Sequence, residues 1–419
     1  MSATTKKLNY ADVPPRATSS RAIRTEVTPS NGNTYQMNQT IIFDLPSNVS
    51  NTFADFQSSY VRLNFTNNDG DAINFEGGGF PACIRRCELL LGGATLASID
   101  NFGVLYQMML DLDTSGQFRS NAGARLFGAA NSGLGESIAA AATRQICFPL
   151  LLLPITQSSK YFPLFGREPL RIRMELNTAK SGLIAADDLM EDNQVAISEV
   201  ALVLYQLELG QDVMNQVMSN SGGMLRMAMP SYVHHQATLA QGANSVSTTL
   251  GYSMSSLNRV LIATRKQAIT GNTSTIGNRS QLSLTDANIK IGGVQYPQIK
   301  IKDRNNDGAE VLAEALVSQR ALLSFGHDSS IELGAKFVAT DPAGTNDGTI
   351  GHFLVEIDLE SQRVDAGSLV AGVNCIGQTV QYEATFGAGA PSAQLVDVFG
   401  EHTIMCSLDL NSLTFSIAV

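Results

Sequence analysis

Three separated segments of this chain recur, in the same order, about 200 residues further on. Ser58-Ser59-Tyr60-Val61-Arg62-Leu63 is echoed by Ser255-Ser256-Leu257-Asn258-Arg259-Val260 at an offset of 197. Glu88-Leu89-Leu90-Leu91-Gly92-Gly93 is echoed by Asn288-Ile289-Lys290-Ile291-Gly292-Gly293 at an offset of 200, with Ile99 and Ile299 in step. Val203-Leu204 and Leu207-Glu208-Leu209 are echoed by Ile404-Met405 and Leu408-Asp409-Leu410 at an offset of 201. Matches near the start, middle and end of each half imply two copies of one domain in tandem, and such a repeat decides the fold before any local pattern does.

Two halves of near 200 residues within 419 suit two sizeable β domains. Strand signals dominate the first half at Thr40 to Leu45, Tyr60 to Phe65, Cys87 to Leu91, Leu170 to Leu176 and Val195 to Leu209. Leu170-Arg171-Ile172-Arg173-Met174-Glu175-Leu176 alternates with period two, which predicts an antiparallel strand with one buried face. The second half reads alike, including Thr248 to Ile262, Ser330 to Val338, Phe353 to Leu359 and Thr403 to Leu410. A short helix is predicted after each Gly-Gly hairpin. One runs from Asn101 to Leu112, capped by Asp100 or Asn101, and one from Ala309 to Leu323, preceded by Asp307. Long irregular stretches, Asp113 to Ala142 and Thr340 to Thr349 among them, are expected to carry the variable surface. The fold class is therefore all-β: two tandem eight-stranded jelly-roll sandwiches. The expected division is an extended arm over 1–30, a first jelly roll over 31–212, a linker over 213–228 and a second jelly roll over 229–419.

Charged residues make up only 16% of the chain, against ~25% in typical soluble domains. Either large surfaces are buried at protein–protein contacts or the surface is neutral, rich in Ser, Asn, Gln and Gly. A net charge of −10 without a long basic run argues against a body that wraps nucleic acid, and no specific nucleic-acid site is expected. The exception is the N-terminal arm, where residues 1–25 hold Lys6, Lys7, Arg16, Arg21 and Arg24 against the single acid Asp12. With Pro14-Pro15 it is expected to lack regular structure by itself. It reads as a tether to a partner, an inner membrane or packaged nucleic acid, or else as a frayed terminus. No apolar signal-peptide core is visible, and no stretch approaches ~18 apolar residues. Five cysteines at irregular spacing predict reduced, buried thiols.

The sharpest local motif is Asp303-Arg304-Asn305-Asn306-Asp307-Gly308 with Glu314 at the twelfth place. It has the spacing of a calcium loop, with Asp303, Asn305, Asp307 and Glu314 as ligands. Against it, the preceding Tyr296 to Lys302 reads as strand, Glu310 takes the place of the usual hydrophobe, and there is no second loop. The competing reading is a polar strand-to-helix turn capped by Asp307. His234 and His235 are adjacent, so on a strand they face opposite ways. Glu356, Asp358 and Glu360 are expected on a solvated face. No phosphate loop, nucleophile elbow or dinucleotide fingerprint occurs in strand-to-helix context, so no catalytic or cofactor residue is expected and the chain is read as a non-enzyme.

Four segments resemble the double jelly-roll major capsid proteins of tailless icosahedral DNA viruses, particularly the polinton-like virus, virophage and adintovirus group. They are Ile146 to Leu150 leading through Ser158 to Leu164 into Leu170 to Leu176; Glu88 to Gly93 with Ile99-Asp100-Asn101 and the helix containing Tyr106; Ile197 to Leu209; and Asn288 to Pro297. The resemblance covers residues 35–419. It implies a homotrimer with a pseudo-hexagonal base that tiles an icosahedral shell, meeting neighbouring capsomers, pentons and minor or cement proteins. It implies outward towers from loops such as 113–142 and 340–349. It also places the arm inside, locking neighbours or facing a membrane or the genome, and the protein in the virion, made without a secretory signal and assembled inside the host cell. A tandem sandwich that binds a receptor or carbohydrate, as in a fibre or spike, is the alternative. Sugar platforms favour exposed Trp and Tyr, and the chain has no Trp and ten Tyr.

Overall fold

The computed structural model describes residues 20–130, 134–185, 190–268, 276–303, 305–319, 337, 350–360, 372–387 and 389–418, and structural statements concern these. Lys6, Lys7 and Arg16, the loop Thr340 to Thr349, the predicted strand Ser330 to Val338 apart from Phe337, and the end of the helix predicted to reach Leu323 lie outside them.

Eight strands build the first sandwich: β1 Ser20–Val27, β2 Thr40–Asp44, β3 Thr52–Asn67, β4 Ile84–Leu91, β5 Ala94–Asp100, β6 Thr143–Phe148, β7 Leu170–Leu176 and β8 Val195–Leu209. One sheet has the order β1-β8-β3-β6 and the other β2-β7-β4-β5, all antiparallel. The second sandwich repeats the plan with β9 Met224–Leu239, β10 Ser245–Leu250, β11 Leu257–Lys266, β12 Leu284–Ile291, β13 Val294–Lys302, β14 Val355–Asp358, β15 Val380–Phe386 and β16 Gln394–Asp409. Its sheets run β9-β16-β11-β14 and β10-β15-β12-β13. The two halves are tandem jelly rolls in which each strand of the first has its counterpart eight strands on. A last strand, β17 Phe415–Ala418, adds to β16.

The alternation read in β7 holds. Ile172 and Met174 are buried, while Arg171 and Arg173 point outward and pair across strands with Asp44 at 2.5 Å and Glu88 at 3.1 Å. Phe65, Phe75, Phe80 and Phe148 meet inside the first barrel at ring-centroid distances of 5.0 to 6.3 Å. Each ring taken from water contributes about 1.5–3 kcal/mol, with a further fraction from edge-to-face geometry. Both hairpins turn through glycines at positive φ, 58° and 90° at Gly92-Gly93 and 57° and 85° at Gly292-Gly293. Such paired left-handed residues make the two-residue turn whose twist suits antiparallel strands.

The structure corrects several expectations. The arm ends earlier than residue 30, because Ser20–Val27 is β1, paired with β8 from Ser20↔Leu209 to Val27↔Leu202. Arg21 and Arg24 therefore sit on a strand, and Arg24 bonds Glu26 at 3.2 Å. The stretch expected as linker holds helix α2, Gln211–Asn220, and the start of β9. Asp113 to Ala142 is not wholly irregular. Helical turns span Gly116–Phe118, Arg119–Gly123 and Ala124–Phe127, and bury Arg119 and Phe127. The third repeat is right in its strands and wrong by one residue in register. Leu202 and Leu204 face the core in β8, but Ile404 and Cys406 do so in β16, an offset of 202. A slip of one residue turns every side chain to the other face. Ile299 is likewise not the partner of Ile99. Ile99 pairs with Cys87, and Ile301 pairs with the equivalent Ala287, because β13 carries two extra residues. Ile299 rides on that bulge, 79% exposed.

The remaining helices are α1 Phe102–Asp113 and α3 Ala309–Ser318. Among the described residues no helix is long and apolar enough to cross a membrane. All five cysteines are free, four of them buried.

Candidate functional site: the seam between the barrels

Helix α1 is apolar on every side, and all of Phe102 to Leu112 is buried. Such a helix needs cover all round, and it finds it between the barrels. Its buried acid, Asp111, reaches across. One carboxylate oxygen bonds Arg119 of the first barrel and the other bonds Arg279 of the second. All three side chains are at most 1% exposed, and His352 Nδ1 lies 3.9 Å from the same carboxylate. Burial alone pushes the Asp111 carboxyl up, yet Arg279 and Arg119 outweigh it and hold the group at about 2. Arg279 also donates to the carbonyls of Phe353 and His352 at 3.0 and 3.1 Å, so its charge is met by dipoles as well as by a carboxylate.

Glu76, 1% exposed, extends the seam. It accepts from the backbone N–H groups of Ile276 and Gly277 at 3.2 and 3.4 Å. A Cβ at Gly277 would lie 2.4 Å from the Gln107 amide of α1, so a side chain there would displace that amide. Gln107 in turn accepts from Gly78 N at 2.9 Å.

A second buried cluster centres on Asp397 of β16. It accepts from Arg265 at 2.6 Å, Gln236 at 2.7 Å, His234 at 2.8 Å and Asn101 at 3.0 Å. Burial again raises this carboxyl, while Arg265 and the His234 hydrogen bond draw it well below the usual range. Asn101 belongs to the first barrel. It begins α1 in the left-handed conformation without a side-chain cap, contrary to the sequence expectation, and its Nδ2 donates across the seam to Asp397. His234 and His235 do diverge, the latter meeting Thr248 at 3.2 Å. A polar cleft of about 230 Å³ opens here, lined by Asn101, Asn177, Gln236, Arg265 and Lys266 among others.

Glu356 corrects another expectation. It is fully buried, not solvated. Burial pushes its carboxyl up despite Arg259 at 3.0 Å, and Ser318 and Gln319 at the end of α3 donate to it at 2.8 and 3.0 Å. The strand β17 also clasps the first barrel. Phe415 stacks on Phe162 with centroids 5.3 Å apart, its N–H donates to Glu168 at 3.0 Å, and Arg167 N donates to Leu413 O at 2.9 Å.

The calcium candidates separate. Asp303 is buried, accepting from Gln281 and, at 2.9 Å, from Gly308 N. Asp307 is exposed and accepts from Ala309 N at 3.2 Å, one residue before Gly308, which begins the helix without a side-chain cap. Asn305 is exposed at φ 65°, and Glu314 is half-buried on α3. Among the described residues no group of three His, Cys, Asp or Glu side chains is placed to hold a metal ion. Of the basic arm residues, only Arg21 and Arg24 fall within the described chain, on the open edge of β1.

The residues that make the seam, Asp111, Arg119, Arg279, Arg265 and Asp397, were not singled out from the sequence. One signal was available: Asp111 interrupts the apolar run from Val104 to Leu112. What the arrangement does is mechanical. Breaking a buried ion pair by removing one partner costs about 3–5 kcal/mol, so the two barrels are held in one relative pose.

Solved structures share this architecture along the whole chain. VP54 of PBCV-1, in a crystal structure fitted into a reconstruction of the virophage Sputnik, matches with a TM-score of 0.63 at 11% identity, covering 97% of this chain and 98% of that one. The Faustovirus major capsid protein matches at 0.61 and 10% identity, covering 94% and 91%. The mavirus major capsid protein matches at 0.57 and 11% identity, covering 100% and 95%. No family model and no curated protein sequence matches the chain. The repeated strand order and these full-length likenesses agree: the chain has the double jelly-roll fold of viral major capsid proteins.

Proposed function

We propose that this protein is the major capsid protein of an icosahedral virus, a structural and non-catalytic component of the virion. The observation that carries the reading is the pair of jelly rolls with identical strand order, bolted together by buried ions and matched end to end by capsid proteins. Three copies would place six barrels around a threefold axis, giving a pseudo-hexagonal capsomer that meets neighbouring capsomers, pentons and cement proteins. Residues 1–19, with Lys6, Lys7 and Arg16, would serve as the tether beneath the shell, towards an inner membrane or the genome. The reading as a receptor- or carbohydrate-binding fibre component gains no support: none of the solved structures described above is a fibre or spike.

Sedimentation of the purified protein, with electron microscopy of expressed material, tests the proposal. We expect a species of three 44.7 kDa chains that closes into shells. A monomer under every ionic condition, with no particles, would refute it.

A further inference from the structure

We propose that the groove where the two barrels meet helix α2 binds one molecule of a long-chain carboxylate. The acyl chain lies in the groove and its charged end is held by Lys160 and Arg226. The site goes beyond the capsid reading, which neither requires it nor forbids it.

The argument starts at the joint between the halves, where β8 ends at Leu209, α2 follows, and β9 begins at Met224. A small apolar cluster forms there, apart from the main core. Phe53, Phe165, Met214 and Leu408 are buried in it, and Phe53 meets Phe165 edge to face at 5.3 Å. Leu209, Val217 and Leu225 pack on this cluster but stay only half-buried. With Phe53 and Met224 they line a groove of about 420 Å³. That volume falls in the range of sites for a single small molecule, about 300–1,000 Å³. None of the side chains lining it has a buried polar atom left without a partner, so the walls ask for an apolar body. Met224 and Met227 give the groove a wall that adapts to what fills it.

The charge of the occupant follows from a second observation. Lys160 and Arg226 line the same groove, and both are exposed. Among the described residues neither has an acid partner, and the Arg226 guanidinium meets the Met224 sulfur at 3.9 Å. Acids outnumber bases in this chain by 38 to 28, yet none is set against these two cations. An apolar groove with unpaired cations suits an apolar chain with an anionic end, and the planar fork of an arginine matches a carboxylate. The chain's own arm suits it less. Residues 1–19 lead into Ser20, which pairs with Leu209 beside the groove, so the arm is within reach. It brings Lys6, Lys7 and Arg16 against Asp12, and so mostly like charge.

The test is calorimetric titration of the full chain with dodecanoate below its micelle point, with dodecyltrimethylammonium as the probe of opposite charge. Dodecanoate should bind one to one and raise the melting temperature. The cationic probe should bind at least about tenfold more weakly. Shortening the carboxylate should cost roughly two- to fourfold in affinity per methylene. The double variant Lys160→Gln with Arg226→Gln should lose about tenfold for dodecanoate and nothing for the cationic probe. Val217→Asp and Met224→Asp, each checked for fold by circular dichroism, should lose both probes. No binding of dodecanoate, equal binding of the cationic probe, or affinity untouched by the double variant overturns the assignment. A full chain that binds only after Leu8→Asp with Val13→Asp gives the groove to the arm, and binding lost on self-association gives it to a second copy; either result overturns the proposal. So does binding to phosphatidylglycerol vesicles without binding of dodecanoate, which places the attraction at a lipid surface. None of these results bears on whether the chain forms shells, so the capsid reading stands or falls separately.

Discussion

Replacing Asp111 by Asn keeps the size of the side chain and removes its charge. In the folded protein one carboxylate faces two guanidiniums, and all three groups are cut off from water. The substitution leaves two buried cations facing each other across the seam, near His352. Leaving a buried charge without its partner costs about 3–5 kcal/mol, and here one change strands two. At about 2–4 °C per kcal/mol for a cooperative unit of barrel size, the melting temperature should fall by roughly 6–20 °C. Arg279→Met sets the comparison. It leaves Asp111 paired with Arg119 and the cluster neutral, so its loss should be the smaller of the two. Thermal and urea unfolding followed by circular dichroism measure both. An Asp111→Asn protein that melts within about 2 °C of the parent, or an Arg279→Met protein that is the less stable variant, would refute the account of the seam. The pH dependence has a fixed sign. The folded carboxyl sits at about 2, below its unfolded value of about 3.9, so its contribution is complete above pH ~4 and is lost as pH falls towards 2. The Asn variant should lack that part of the acid transition.

Two further outcomes are expected. Gly103→Ala should destabilise by about 1–3 kcal/mol in urea unfolding, because its Cβ would stand 2.3 Å from the Ala82 carbonyl oxygen; unchanged stability would mean that α1 can shift in its groove. Chelator and added calcium should each move the melting temperature by less than about 1 °C, because the Asp303 carboxylate is already taken by Gln281 and Gly308; a rise with calcium would restore the metal reading.

Local patterns carried the architecture, and long-range pairings did not. The hairpin glycines, the alternation of β7 and the apolar face of α1 each follow from residues a few places apart, so the duplication and most strands were legible. β1 was missed although its pattern is plain: Ile23, Thr25 and Val27 alternate with Arg24 and Glu26. The basic count of the arm drew attention to charge instead of period. The bulge that expels Ile299 and the one-residue slip between β8 and β16 are changes of register, to which a motif match is blind. Glu356 looked solvated because its partners are far away in sequence: Arg259 lies 97 residues before it and joins it only through the β11–β14 pairing. The seam is the extreme case, since an acid and a base that meet across two barrels leave no spacing to read.

That separation along the chain also orders events in time. Asp111 meets Arg279 168 residues later, and Asn101 meets Asp397 296 residues later. Contacts this distant form late, since the loop must close before the contact rewards it. During synthesis the first barrel emerges with one side of α1 still in water and its carboxylate hydrated. That side becomes dry only when the second barrel has folded against it. A half-made chain therefore presents a largely apolar, unfinished flank where the finished one presents a rigid block, and it does so until translation has passed β16.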